Sequence, residues 1–281
     1  MNYQKIDGIE FKMGKEFDFS FLKKYGKVFK VFDDQDSGNI CFGIESQGGR
    51  IFVKFAGAQT AEYDGDISKA IERLKSTVPV YDSIKHTSLI KYICSEEIGK
   101  GFAMIFEWQD GECMGRMYEE SHRNIMSLPL DEKILIFQSI IDFLIDTAKM
   151  GYVAIDFYDG SIMYNRLNKT TNICDIDFFR KSPSSNDMGQ MWGSARFMSP
   201  EEYKLGEILD EITNVFTIGQ MGFSLFTDSE RDKEGWPLSA SSYNVLMKAI
   251  SPDRMDRYIS LAEFSECWNE AIKSSIAVRY I

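Results

Sequence analysis

The spacing of apolar residues changes once along this chain, and that change limits the fold more than any other feature. Residues 27–56 contain three runs rich in β-branched and aromatic residues, KVFKVF, NICFGIE and RIFVKFA, separated by the turn-forming stretches DDQDSG and SQGG. From about residue 130 the spacing becomes helical, beginning with DEKILIFQSIIDFLIDTAKMG. We therefore predict an α+β protein with an antiparallel sheet first and a mostly helical part after it.

The same periodicities predict the other elements. In the helix over 131–151, Asp131 is the expected N-cap and Gly151 the residue that ends it. The remaining predictions are strands at 89–98, 101–108, 161–165 and 172–177, and helices at 67–76, 210–226, 240–250 and 259–274.

The predicted strands and helices separate into two domains. The chain has 281 residues, which is enough for one large domain or two lobes. A linker near 108–112 follows the last strand of the sheet-rich part. We therefore expect a sheet-rich N-terminal lobe (a β-meander plus a helix) over 1–109 and a helical C-terminal lobe over 110–281.

Charge and rare residue types exclude several classes of function. The net charge of -11 makes general binding of nucleic acid or anionic membrane unfavourable. Only two histidines occur, His86 and His122, which argues against a histidine-rich metal site or a Ser-His-Asp hydrolase. The N-terminus lacks the apolar region of a signal peptide, no apolar run reaches about 18 residues, and the five cysteines suit free thiols. We expect a cytoplasmic protein.

One segment points to a family. GSARFMSPE, residues 193–201, resembles the end of the activation segment in protein kinases, where alanine, proline and glutamate come last. Glu201 takes the final position. The resemblance covers roughly residues 25–275 and implies the bilobal protein kinase-like fold, with an antiparallel β-sheet N-lobe and a mostly helical C-lobe.

A second segment resembles the same family. SPDRMDRYISLAEFSECW, residues 251–268, is similar to the late kinase segment whose arginine pairs with the glutamate of the activation segment. The resemblance implies that Arg257 pairs with Glu201. A buried carboxylate needs such a partner, and a bidentate arginine offsets the cost of its burial.

The resemblance also assigns two catalytic positions. Kinases bind the nucleotide phosphates with a lysine on the third strand, which is Lys54 in RIFVKF. Taken alone, Lys54 would more often be a solvated strand lysine, but its place on the third strand of the meander favours the phosphate-binding role. The aspartate that orients the acceptor hydroxyl is Asp156 in GYVAIDFYDGSIMYN. An aspartate there can instead cap a turn.

Metal binding is assigned in the same way. The metal-binding aspartate that opens the activation segment is Asp175 in ICDIDFF, and Ser161 takes the position of the family's metal-binding asparagine. Asp175 too can be a turn cap. The implied cofactors are ATP and Mg²⁺. Asp159 and Asp177 are near in sequence and could add a carboxylate, which would admit Mn²⁺ as well.

The remaining nucleotide contacts come from the N-terminal domain. Glu72 follows Lys54 by a family-like separation and is the expected ion-pair partner, although counting back from HTSLI selects Thr77 instead. In FEWQDGE the backbone of Glu107 and Gln109 is expected to meet the adenine edge, with Phe106 as gatekeeper or simply as a core aromatic.

The phosphate loop departs from the family. DDQDSGN contains a single glycine, Gly38, and three aspartates, although kinases use several glycines so that backbone amides can approach phosphate. Ile155 occupies the position of the arginine that receives an activation-loop phosphate, Tyr158 replaces a phosphate-contacting lysine, and Asn214 replaces a structural aspartate.

Three functions follow from these matches and departures. The first is a divergent serine/threonine protein kinase-like phosphotransferase, with ATP and a protein substrate as partners and Ser182, Ser184 and Ser185 as sites of self-phosphorylation. The second is a pseudokinase that binds or scaffolds without transfer. The third is a small-molecule kinase of the aminoglycoside or choline type, which the peptide-docking segment 193–201 disfavours.

Overall fold

The computed structural model describes residues 2–279, and the side chains of residues 2–273. It is an α+β protein with antiparallel sheets, as the change of spacing predicts. No α-helix within the described residues is both long enough and apolar enough to cross a membrane. The chain divides into two compact units, unit 1 with Met1–Lys85 and Ile90–Gln109, and unit 2 with His86–Leu89 and Asp110–Ile281.

Unit 1 contains the longer strands. Its elements are β1 Asn2–Ile6, β2 Ile9–Met13, β3 Lys27–Phe32, β4 Asn39–Ser46, β5 Gly49–Ala56, α1 Ile67–Ser83, β6 Tyr92–Ile98 and β7 Gly101–Glu107. The main sheet has the order β3-β4-β5-β7-β6, and β1 pairs with β2 as a separate hairpin.

One face of the main sheet is an apolar layer. Val53 and Phe55 flank Lys54 on β5, and both are fully buried because alternate residues of a strand point to opposite faces. They pack in one cluster with Phe11 and Met13 of β2. The β1–β2 hairpin therefore covers this face.

The opposite face carries Lys54 and α1. Thr77 donates a hydrogen bond to Met104 Sδ at 3.0 Å, and Met104 lies directly across from Lys54 in the β5–β7 register. One helical turn later, the Tyr81 ring lies 5.0 Å from the Phe106 ring. Since Phe106 and Met104 share a face, α1 packs on the side of the sheet from which Lys54 projects.

Unit 2 is mostly helical. Its elements are β8 Glu112–Cys113, α2 Glu119–Met126, α3 Leu130–Lys149, β9 Tyr152–Val153, β10 Ile162–Asn165, β11 Thr170–Ile173, β12 Arg180–Lys181, β13 Ser184–Ser185, β14 Ile208–Leu209, α4 Glu211–Thr227, α5 Ala240–Ala249 and α6 Leu261–Arg279.

The core of unit 2 is built around α4. Every residue of α4 from 213 to 226 is buried, a pattern typical of a helix enclosed on all sides. Phe226 of α4 and Trp268 of α6 both meet Phe137 of α3, with ring centroids 5.7 and 4.8 Å apart. Helix α4 therefore forms the centre of unit 2.

Three of the differences between the predicted and the observed boundaries have a physical reason in the structure. The helix predicted to end at residue 76 continues to Ser83, past Pro79, because Tyr81 is buried against the sheet and its packing offsets the missing hydrogen bond. The strand predicted over 172–177 ends at Ile173, since Asp175 has a φ of +57° that no strand accommodates. Asp131 lies in the first turn of α3 and Pro129 is the N-cap.

Candidate active site

Glu201 forms the predicted ion pair and is buried. Its side chain is 3% exposed. Arg257 Nη1 and Nη2 donate to its Oε1 and Oε2 at 2.7 and 3.0 Å, and Arg254 adds a bond to Oε1 at 3.1 Å. Burial raises the pKa of Glu201, but the hydrogen bonds and charge of Arg257 outweigh it and hold the pKa below its usual value. The predicted pairing with Arg257 is confirmed.

The β10–β11 hairpin brings the two predicted metal residues together. Ile162 and Ile173 face each other where the hairpin ends. Just outside it, the Cys174 N–H donates to the Ser161 carbonyl at 2.9 Å. Asp175 follows directly and turns the chain out of the strand with its positive φ. Ser161 and Asp175, from separate segments, therefore share one corner of unit 2.

The backbone at Asp156 is held by α4. Asp156 has a φ of +55°, a conformation that costs a non-glycine residue of order 1–3 kcal/mol. Ala154 lies two residues before Asp156. Asn214 of α4 accepts a hydrogen bond from the Ala154 N–H at 2.8 Å and donates one to the Ala154 carbonyl at 2.7 Å. The buried helix thus fixes the chain that presents Asp156.

Tyr158 lies near both predicted aspartates. Burial raises the pKa of its phenol, and the negative charges of Asp175 and Asp156 raise it further. Its ring also meets that of Phe197, with centroids 6.5 Å apart. Tyr158 therefore connects the two aspartates to segment 193–199, the part of the chain that precedes Pro200.

A small cavity lies beside Asp156. Glu202, one of its lining residues, is 3% exposed, and its Oε2 accepts bonds from the Ser199 N–H and hydroxyl at 2.7 and 2.9 Å. Burial raises the pKa of Glu202 to about 7. The cavity therefore places a carboxyl group that titrates near neutral pH beside Asp156. Its lining includes Asp156, Gly193, Ser194, Phe197, Met198 and Glu202.

In unit 1, Glu72 lies on the wrong side of α1 to meet Lys54. The buried residues of α1 recur at 70, 74, 77 and 81, whereas Glu72 is exposed about half a turn away. Thr77, the other position that the spacing offered, is the one that faces the sheet. The predicted pairing of Glu72 with Lys54 is corrected accordingly.

Protein side chains fill the space around Gly38. Its φ is +79°, and a Cβ there would lie 2.8 Å from the Tyr63 ring, so backbone conformation and packing both require glycine. Two carboxylates of the same loop turn toward β2: the Lys12 N–H donates to Asp33 at 2.6 Å, and Lys12 Nζ lies 3.0 Å from Asp34. Repulsion of a phosphate by these two aspartates is thereby reduced.

The predicted adenine-binding residues lie at the end of β7. The Glu107 N–H donates to the Lys91 carbonyl at 2.9 Å and its side chain forms an ion pair with Lys91. Gln109 is half-buried, and Phe106 is fully buried as a core aromatic.

The donor set limits how a metal could be held. Within residues 2–273, no group of three or more His, Cys, Asp or Glu side chains could hold a metal ion by itself. The Ser161 hydroxyl is uncharged, fully buried and has no hydrogen-bond partner among the described residues. Mg²⁺ commonly takes one or two carboxylates together with phosphate oxygens and water. The described side chains of residues 2–273 therefore form no metal-binding cage made of protein alone.

No protein-family model matches this chain, and no curated protein matches it. Its function must therefore be inferred from its own side chains. Two of them carry signals in the sequence that were missed. Glu202 follows Ser199 by three residues, the spacing of a capping box. Arg196 is a lone charge in an otherwise small and apolar stretch.

Proposed function

We propose that the protein is a divergent protein kinase-like phosphotransferase, with units 1 and 2 as the N-terminal and C-terminal lobes of that fold. One observation carries the proposal: Asp156 and Asp175 approach Tyr158 from two separate segments, each with a left-handed backbone. Strained backbone clusters at functional sites because surrounding structure must maintain it. The buried Glu201–Arg257 pair supports the alignment of unit 2 with the family.

The proposed reaction assigns one role to each residue. Asp156 accepts the proton of a serine or threonine hydroxyl as that oxygen bonds to the γ-phosphorus of ATP and the bond to ADP breaks. Asp175 binds Mg²⁺, which when present neutralises charge on the phosphates. Lys54 contributes a phosphate-binding cation from unit 1.

A pseudokinase is the second candidate, and specific observations favour it. Glu72 is exposed on the outer side of α1, so it does not orient Lys54. The uncharged Ser161 supplies no carbonyl or carboxylate to a metal. Both changes weaken catalysis more than nucleotide binding, because transfer needs the phosphates fixed to within a fraction of an ångström.

Two aspartate variants separate binding from transfer. Asp156→Asn should leave Mg²⁺–ATP binding within about twofold and reduce transfer by about 10²-fold or more, since the amide is a poor proton acceptor. Asp175→Asn should weaken ATP binding in the presence of Mg²⁺. Asp142→Asn, exposed on α3, is the matched control.

The measurements are thermal shift with ATP over a Mg²⁺ titration, and transfer of γ-labelled phosphate to the protein itself and to a generic basic protein. Binding without transfer in the parent would favour the pseudokinase. If the parent neither binds ATP nor transfers phosphate, both candidates are overturned.

A further inference from the structure

A fully buried carboxylate lies in the loop over residues 156–161. Asp159 is 0% exposed. Its Oδ2 accepts a bond from Arg196 Nη2 at 2.7 Å and one from Ser224 at 3.4 Å, while its Oδ1 is buried without a hydrogen-bond partner among the described residues. Burying a charge is costly unless a partner compensates it, and Arg196 is the cation in contact.

Arg196 lies in the chain between residues that line the cavity beside Asp156. Its guanidinium lies 4.9 Å from the Phe197 ring centroid, and its Nη1 lies 3.5 Å from Ser229 Oγ. Gly193, Ser194 and Phe197, its neighbours in segment 193–199, all line the cavity. Displacement of Arg196 would therefore move the surface that faces Asp156.

Apolar packing supports the same arrangement from the other side. Ile155 is 1% exposed and forms a buried cluster with Met191, Met198 and Leu209. An isoleucine in such a cluster cannot receive a phosphate from the segment. The segment thus contacts the 156–161 loop through apolar packing and through Arg196, and neither contact requires a modification.

We infer that the Arg196–Asp159 ion pair is a constitutive contact, independent of phosphorylation. It positions segment 193–199 and thereby shapes the cavity beside Asp156. Arg196 is a positioning residue, because it acts on the acceptor through the segment. The inference rests on the proposed function for the acceptor, whereas the effect on the segment can be measured without any nucleotide.

The first test is hydrogen–deuterium exchange over residues 186–199 in the protein without nucleotide. Arg196→Ala should raise exchange there about tenfold or more, because local opening becomes easier, and Arg196→Lys should restore part of the protection. Arg180→Ala is the matched control: it breaks an ion pair with Asp187 in the same region, but that carboxylate is exposed.

A double variant separates positioning from stability. Asp159→Asn removes the buried charge, so Arg196→Ala combined with Asp159→Asn should regain most of the lost melting temperature while the segment still exchanges fast. If protection returns together with the melting temperature, Arg196 serves stability alone and the inference is overturned.

Transfer assays complete the test. In Arg196→Ala the KM for the acceptor should rise about tenfold, as small misplacements near a reacting group do, while ATP affinity stays within twofold. Replacing Ser182, Ser184 and Ser185 together by alanine should leave transfer to the generic basic protein unchanged. Loss of that transfer would overturn phosphorylation independence. If the parent transfers no phosphate while Arg196→Ala still exchanges faster than the parent, that result supports the positioning role of Arg196 and rejects the proposed reaction.

Discussion

Two adjacent glutamates show how surroundings decide the behaviour of a buried carboxyl group. Glu201 and Glu202 are equally buried, at 3% exposure each. Arg257 keeps Glu201 ionised, whereas Glu202 has the hydroxyl and N–H of Ser199 as its partners and its pKa rises to about 7. Their neighbouring positions in the chain therefore lead to opposite dependences of stability on pH.

Glu202→Gln should change the pH dependence of unfolding. The folded pKa of Glu202, about 7, exceeds its ordinary value of 4.5, so stability from this group is present below pH 4.5 and lost as pH rises through 7. Between pH 4.5 and 8 the parent should lose roughly 3 kcal/mol relative to the glutamine variant. Urea unfolding at several pH values measures this, and parallel curves would contradict it.

The Glu201–Arg257 pair should be costly to break from either side. Removing one member strands the other in the core, which costs about 3–5 kcal/mol. Glu201→Ala and Arg257→Ala should each lower the melting temperature, and the double variant should cost less than their sum. Strict additivity in a chemical-denaturation cycle would mean that the two residues do not interact.

At this scale, the sequence predicts partners best where chemistry leaves few choices. A buried carboxylate that stays ionised needs a compensating partner, and Arg257 is that partner for Glu201. The predicted pairing of Glu72 with Lys54 was wrong because separation along a chain does not decide which side of a helix faces a sheet. That depends on the buried stripe at 70, 74, 77 and 81.

Among the elements, α4 positions the 156–161 loop through one side chain. Asn214 both donates to and accepts from the backbone of Ala154, which a carboxylate cannot do. Asn214→Asp, although it introduces the aspartate that protein kinases have at the matching position, should therefore destabilise the protein by about 1–3 kcal/mol. Thermal unfolding against Asn168→Asp, in an exposed turn, is the test, and an equal or higher melting temperature would contradict the expectation.

The elements that the sequence prediction missed differ in how visible they were. The β1–β2 hairpin had a signal: Asp7 and Gly8 have φ values of +50° and +96°, and an Asp-Gly pair between two alternating runs is a strong hairpin signature. The extension of α1 past Pro79 had none, because packing of Tyr81 against the sheet overrides a local preference.

For the whole molecule, net charge should govern the choice of acceptor. At -11 the protein attracts cations and repels anions at long range. If transfer occurs, kcat/KM for a basic protein acceptor should exceed that for an acidic one, and the difference should shrink as salt rises above about 0.1 M, where the Debye length is about 10 Å. A preference for the acidic acceptor at low salt would show that local charges dominate.

The segment next to the cavity also carries its own fluorophore. Trp192, 53% exposed, immediately precedes Gly193, and its ring lies 6.3 Å from that of Phe178. Trp268 and Trp236 are buried, at 0% and 8% exposure. A polar quencher such as iodide or acrylamide therefore reaches Trp192 before either of them, and emission from this residue reports the solvation of the segment. Changes in the solvent exposure of this segment can in this way be followed by fluorescence, without a label and on the millisecond scale of a stopped-flow mixer.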